Sequence, residues 1–159
     1  MVVRGPEQFV GYRDPALNDD AFTPDGWFRT GDLGRLDGEG RLTITDRIKD
    51  VIVRGGETIS SSQVEEAVST HPAVVEVAAV GAPDSRYGEA VAVVVVLRPG
   101  TTLDVSELRR HFVESGLARQ KAPELLVIAD ALPRTALGKV KKAELRATYF
   151  PAHLTQSSK

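Results

Sequence analysis

Asp46-Arg47-Ile48-Lys49-Asp50-Val51-Ile52-Val53-Arg54-Gly55-Gly56-Glu57-Thr58-Ile59 is the stretch on which the fold turns. Its first five residues carry four charges, the pattern of a solvated connector. Two short runs with strand propensity follow, Val51–Val53 and Thr58–Ile59. They flank Arg54-Gly55-Gly56-Glu57, which reads as a hairpin whose two glycines permit positive φ. The chain changes character across the connector, so a domain boundary is expected near Arg47–Asp50, with residues 1–48 on one side, 49–150 on the other and a flexible tail at 151–159.

Upstream, the sequence is turn-rich. Gly5-Pro6, Thr23-Pro24-Asp25-Gly26 and Asp37-Gly38-Glu39-Gly40 break it into pieces. Strands are expected at Trp27–Thr30, Leu33–Leu36 and Arg41–Thr45, with Asp37–Gly40 closing a hairpin. Such a region has little core of its own and is expected to be marginal in isolation.

Downstream, the pattern is α+β. A helix is expected from about Ser62 to Thr70, where Ser62-Gln63-Val64-Glu65 has capping-box spacing and Val64, Ala67, Val68 and His71 share a face. Val74–Val80 and Ala90–Leu97 are valine-rich enough to be buried strands. Asp104 opens a second helix with Val105, Leu108 and Phe112 inward. Leu125–Ala129 is a further strand and Lys141–Tyr149 a last helix.

The chain has 159 residues, 42% of them hydrophobic, enough for one core of moderate size. A net charge of −2 gives no bulk attraction to nucleic acid or to an anionic membrane. The longest apolar run, Ala90–Leu97, is far short of the roughly 20 residues of a membrane helix. The absence of cysteine excludes disulfides, zinc–thiolate sites and thiol nucleophiles, and fits a cytoplasmic protein.

Three segments carry chemistry. In Gly26-Trp27-Phe28-Arg29-Thr30-Gly31-Asp32, a carboxylate beside a glycine at a strand end is suited to accept hydrogen bonds from a ribose diol. Its alternative is a turn aspartate. In the connector, Arg47 is placed to meet a phosphate or ribose, and the Gly55-Gly56 turn is narrow enough for close approach of a ligand. In Leu132-Pro133-Arg134-Thr135-Ala136-Leu137-Gly138-Lys139, a lysine after glycine can reach negative charge developing on a carboxylate or phosphate oxygen. By itself a Gly-Lys pair means little, and a surface lysine is the default reading.

Taken in order, these segments resemble the C-terminal motif series of the adenylate-forming ligase superfamily, in the acyl-CoA synthetase style. The resemblance runs from about Val3 to Arg146 and includes His71-Pro72-Ala73-Val74, Gly81-Ala82-Pro83-Asp84 and Tyr87-Gly88-Glu89. It implies a small C-terminal lid domain, with a three-stranded mixed sheet flanked by helices plus a β-hairpin, preceded by the β-rich end of a large domain. The implied reaction joins ATP and a carboxylic acid, a fatty acid in the nearest resemblance, into an acyl-adenylate and then a CoA thioester. By the same resemblance Lys139 is the catalytic residue, Asp32 and Arg47 bind nucleotide, and Lys49 is the hinge. Gly55, Gly56 and Glu57 line the CoA channel. ATP and CoA are the implied cofactors, with magnesium required by the whole enzyme but held elsewhere. Asp46 stands where many relatives have glycine.

The phosphate loop and the acid pocket of such enzymes lie in a large N-terminal domain that these residues do not contain. The chain is therefore expected to be part of a larger enzyme and inactive alone. Two further readings stand beside this one: an aryl-acid adenylating enzyme that loads a pantetheinyl carrier protein, and a non-catalytic interaction or regulatory module. Arg54, Lys141, Lys142 and Arg146 are more plausible as solvated faces than as ligands of CoA phosphates. His71 and His111 are expected in packing or surface roles, and Trp27 as a core anchor.

Overall fold

The computed structural model describes residues 1–151. The chain divides into two compact units that meet between Lys49 and Asp50, within the charged connector.

The first unit contains β1 (Val2–Val3), α1 (Ala16–Ala21), β2 (Phe28–Arg29), β3 (Asp32–Leu36) and β4 (Leu42–Arg47). β1 pairs antiparallel with β2, and β3 with β4. The turn between β3 and β4 is fixed by Asp37, whose carboxylate accepts from the amides of Glu39 and Arg41 and from Arg41 Nε. Phe9, Tyr12, Phe22 and Phe28 form the one aromatic cluster of this unit, with Phe9 5.0–5.4 Å from the other three rings. No residue of the unit is fully buried. Trp27 is accordingly no core anchor. It is half-buried, with the Arg4 guanidinium 4.7 Å from its ring centre, because there is no core here for it to enter.

The second unit is α+β, as expected. It holds β5 (Ile52–Arg54), β6 (Glu57–Ile59), α2 (Ser61–Ser69), β7 (Val74–Asp84), β8 (Gly88–Leu97), α3 (Val105–Glu114), β9 (Leu125–Ile128) and α4 (Lys142–Tyr149). β8 is antiparallel to β7 along its length and parallel to β9 from Ala92 to Val95, which makes a three-stranded mixed sheet. The β5–β6 hairpin joins the same edge of the sheet through Arg54↔Gly88.

The valine run of β8 is explained by burial on both faces. Val91, Val93 and Val95 pack with Val64 and Val68 of α2 and Leu108 and Phe112 of α3. Val94 packs on the other face with Leu132 and Leu145 of α4. Successive side chains of a strand point to opposite faces, so one run supplies both layers. Ala90–Leu97 is thus central, with both edges paired.

The start of α2 differs from expectation. The cap is Ser60, whose Oγ accepts from Gln63 N at 3.2 Å, so the helix begins one residue earlier and Ser61 is buried. Glu65 is drawn away from a capping role. Its carboxylate accepts from Ala79 N on the open edge of β7 (2.8 Å) and pairs with Lys142 of α4 (2.7 Å). Tertiary partners outcompeted the local one.

Candidate functional site

Asp32 and Arg47 face each other because β3 and β4 pair them directly across the ladder. Arg47 Nε lies 3.2 Å from Asp32 Oδ1. The Asp32 amide donates to Thr30 Oγ1, and Ile48 N donates to Gly31 O at 2.8 Å, so both strand ends are held by side-chain and turn bonds. Asp32 is largely covered and Arg47 is open. Arg29, Thr30, Gly31, Arg47 and Lys49 border an open cleft of about 500 Å³ in this unit. A carboxylate that accepts and a guanidinium that donates, side by side, can hold a sugar diol and an adjoining anion. An ion pair this exposed contributes little to stability.

The diglycine turn is built differently. Gly55 and Gly56 have φ of +57° and +83°, the two-residue reversal that L side chains resist. Gly55 N donates to Tyr87 O at 2.8 Å. Just before the turn, Arg54 forms a two-pronged bond with Glu124, Nε to Oε1 at 2.7 Å and Nη2 to Oε2 at 2.9 Å. Its guanidinium also sits 4.2 Å from the centre of the Tyr87 ring. Glu57, on the far side of the turn, is half-buried.

This pair gives the unit a predictable acid response. The Arg54 hydrogen bond above all, helped by the Val91 amide, holds the Glu124 carboxyl below its ordinary 4.5, against the opposing effect of burial. A carboxyl depressed on folding contributes stability that is complete above about pH 4.5 and is lost as pH falls through the depressed value. Arg54 is displaced upward and stays charged throughout. On acidification from neutrality to below that range, the melting temperature of the chain should fall. In Glu124→Gln the acid-dependent part of the fall should be smaller, which thermal melts of both proteins across pH would check.

Lys139 ends a tight loop. Thr135 N donates to Lys139 O (2.8 Å), Gly138 N to Thr135 O (2.9 Å) and Lys139 N to Thr135 Oγ1 (3.2 Å). Gly138 takes φ of +82°, which turns the chain so that Lys139 can leave the loop outward. Arg134 braces it from within, donating to Gly138 O (2.7 Å) and pairing with Glu76 of β7. The Lys139 side chain is exposed, and among the described residues no carboxylate forms an ion pair with it.

Lys49 is exposed and is the last residue of the first unit. The candidate CoA-phosphate cations are engaged elsewhere: Arg54 with Glu124, Lys142 with Ser61 and Glu65, and Lys141 with Glu144. Arg146 stands 4.0 Å from Asp50. His71 is buried, accepts from Ala73 N and meets His111 edge to face at 4.8 Å, a packing arrangement. Sequence reasoning passed over Glu124 and Glu76, and gave no role to Tyr87 and Arg134 although both lie in quoted segments; all four support the two loops. No local signal marks the supporting contacts of Glu124, Tyr87 and Glu76, because each acts on a segment distant in sequence. Among the described residues no group of three His, Cys, Asp or Glu could hold a metal, and no helix is long and apolar enough to cross a membrane.

Residues 63–139 match the AMP-binding enzyme C-terminal domain family. The chain is 44% identical to indoleacetate–CoA ligase of Aromatoleum aromaticum, over 92% of its own length and 28% of the relative's. It is 46% identical to salicylyl-CoA synthase / salicylate adenylyltransferase of a Streptomyces species, over 92% of the chain and 27% of that protein. Its fold superposes on ATP-bound MatB from Rhodopseudomonas palustris with a TM-score of 0.84 and 38% identity, covering 98% of this chain and 30% of that one. The chain thus spans less than a third of the length of these relatives and corresponds to the C-terminal portion of adenylate-forming ligases.

Proposed function

We propose, for a chain whose residues 63–139 match the AMP-binding enzyme C-terminal domain family, that it forms the working end of an ATP-dependent carboxylic acid–CoA ligase. In the first half-reaction a carboxylate oxygen attacks the α-phosphorus of ATP and pyrophosphate leaves. In the second, a thiol attacks the acyl carbon and AMP leaves. Asp32 accepts hydrogen bonds from the ribose hydroxyls, and Arg47 donates to the ribose or phosphate oxygens. The Lys139 ammonium bridges the substrate carboxylate and the nucleotide, offsetting negative charge as it gathers in the transition state. Lys49 is the pivot about which Lys139 is withdrawn and the diglycine turn presented between the two half-reactions. Gly55, Gly56 and Glu57 then border the path of the thiol arm.

The observation that carries this reading is Lys139 itself: an exposed ammonium at the end of a braced loop, with no carboxylate to neutralise it among the described residues. Magnesium is held outside these residues in this reading. So are the acid pocket and the partner that supplies it, a large N-terminal domain. The acid is an organic carboxylic acid, fatty or aryl.

The expected result for the chain alone is no acyl-CoA from ATP, CoA and a panel of acids, beyond a Lys139→Ala control. Joined to a large domain of this family, it should support acid-dependent pyrophosphate exchange and thioester release. Turnover by the isolated chain, or failure of every such joined enzyme while the parent large domain is folded, would count against the assignment. A second reading replaces CoA with a pantetheinyl carrier protein. It is favoured by 42% identity to salicyl-AMP ligase / salicyl-S-ArCP synthetase of Mycobacterium tuberculosis, whose name gives a thioester other than that of CoA. Comparing CoA with a carrier protein as acceptor separates the two.

A further inference from the structure

We propose that Arg54 and Glu124 are positioning residues that hold the Gly55–Gly56 turn in the path of the thiol, so that cutting their ion pair slows thioester formation and spares adenylate formation. The inference rests on the reading of that turn as the border of the thiol channel.

The β5–β6 hairpin is only three residues deep on each side, and such a hairpin is marginal by itself. Ile52 and Ile59 bury its base in the core, but Val53 and Thr58 beyond them are exposed. No apolar side chain therefore anchors the tip. Its attachments to the main sheet are the register pair Arg54↔Gly88, the Gly55 amide bonded to Tyr87 O, and, one residue before Arg54, the Val53 amide bonded to Glu89 Oε2 at 2.6 Å. The side chain next to the turn adds a further hold, the forked bond from Arg54 to Glu124, 70 residues away.

Glu124 is itself fixed. It accepts from Val91 N at 3.2 Å, while its own amide donates to Val91 O at 2.7 Å, so its carboxylate is locked to the central strand β8. Tyr87 closes the arrangement by lying against the Arg54 guanidinium and against the turn. A Cβ on Gly55 would come within 3.3 Å of Tyr87 Cδ1. Both partners of the pair are mostly covered, with side-chain exposures of 19% and 25%. A covered, two-pronged pair fixes orientation more than it adds stability, and removing one partner leaves the other uncompensated. The lysine loop has a separate brace, from Arg134 to Glu76 and Gly138 O. The two loops can therefore be loosened one at a time.

The first test is hydrogen exchange on the full chain, read at the Gly55 amide by NMR. In Arg54→Ala its exchange should rise on the order of tenfold, the effect of losing one good hydrogen-bonded anchor from a local opening. The Val93 and Val95 amides of the central strand should stay protected. Arg54→Lys, which keeps the charge and loses the fork, should fall between. If Arg54→Ala loosens the whole unit, the isosteric Glu124→Gln decides, with the same expectation at Gly55. An unchanged Gly55 amide in these variants overturns the proposal.

The second test uses the intact ligase containing this chain. Thioester release should fall about tenfold, while acid-dependent pyrophosphate exchange stays within about twofold of its original rate. An equal fall in both would mean a merely structural role, and the proposal fails. A faster-exchanging Gly55 with normal thioester release would overturn it by another route: the strut would be real, but the turn would not border the thiol's path.

Discussion

Lys139→Ala should slow acyl-adenylate formation by about 10²–10³-fold in the ligase that contains this chain, the loss typical when one fixed charge donor is removed from a developing anion. Release of the thioester from acyl-adenylate supplied ready-made should stay near its original rate. The asymmetry follows from where the lysine sits. Its loop is closed by Thr135 and Gly138 and braced by Arg134, so shortening the side chain leaves the backbone bonds in place. Lys139→Arg should rescue poorly, because a planar fork does not replace a compact ammonium that must reach two oxygens at once. Pyrophosphate exchange measures the first step and a chase with acyl-adenylate the second. Equal loss in both steps would remove Lys139 from the catalytic role.

Separating the two units should have an equally large effect on folding. Residues 50 onward should unfold in one cooperative transition, while residues 1–49 alone should give no dispersed spectrum. Every fully buried apolar side chain of the described residues lies at or beyond Ile52. The first unit instead exposes Leu36, Leu42, Ile44 and Ile48 along its β3–β4 hairpin and beyond, with exposures of 49–67%. An apolar strip of that kind favours association. The full chain should accordingly self-associate in size-exclusion chromatography, and the piece starting at Asp50 should run as a monomer. Within that piece Phe112→Ala should cost about 3–5 kcal/mol, since the ring is fully buried between helix and sheet. A cooperatively folded peptide of residues 1–49 would contradict this account.

Much of the second unit could be read from the sequence because its signals are local. The valine run of β8, the apolar face of α2 and the Asp104 cap of α3 each follow from the period of neighbouring side chains. The glycine pairs did the same for the turns. At Ser60 the reading slipped by two residues, since Ser60, Ser61 and Ser62 offer three hydroxyls in a row and only the position of the incoming strand selects one. The strand β7 runs past Val80 to Asp84, through Pro83, because pairing with β8 continues to Gly88. No local pattern announces that length.

The order of residues by itself determined the α+β class, the charged break before Asp50 and the two loops that carry Gly55 and Lys139, because periodicity, charge runs and glycine act within a few residues. Only the tertiary structure decided what holds those loops. Arg54 finds Glu124 and Arg134 finds Glu76 across separations of 70 and 58 residues, and an ion pair has no sequence period. It exists only where packing brings two distant charges within reach, and it is strongest where, as at Arg54 and Glu124, most of the screening water is also shut out.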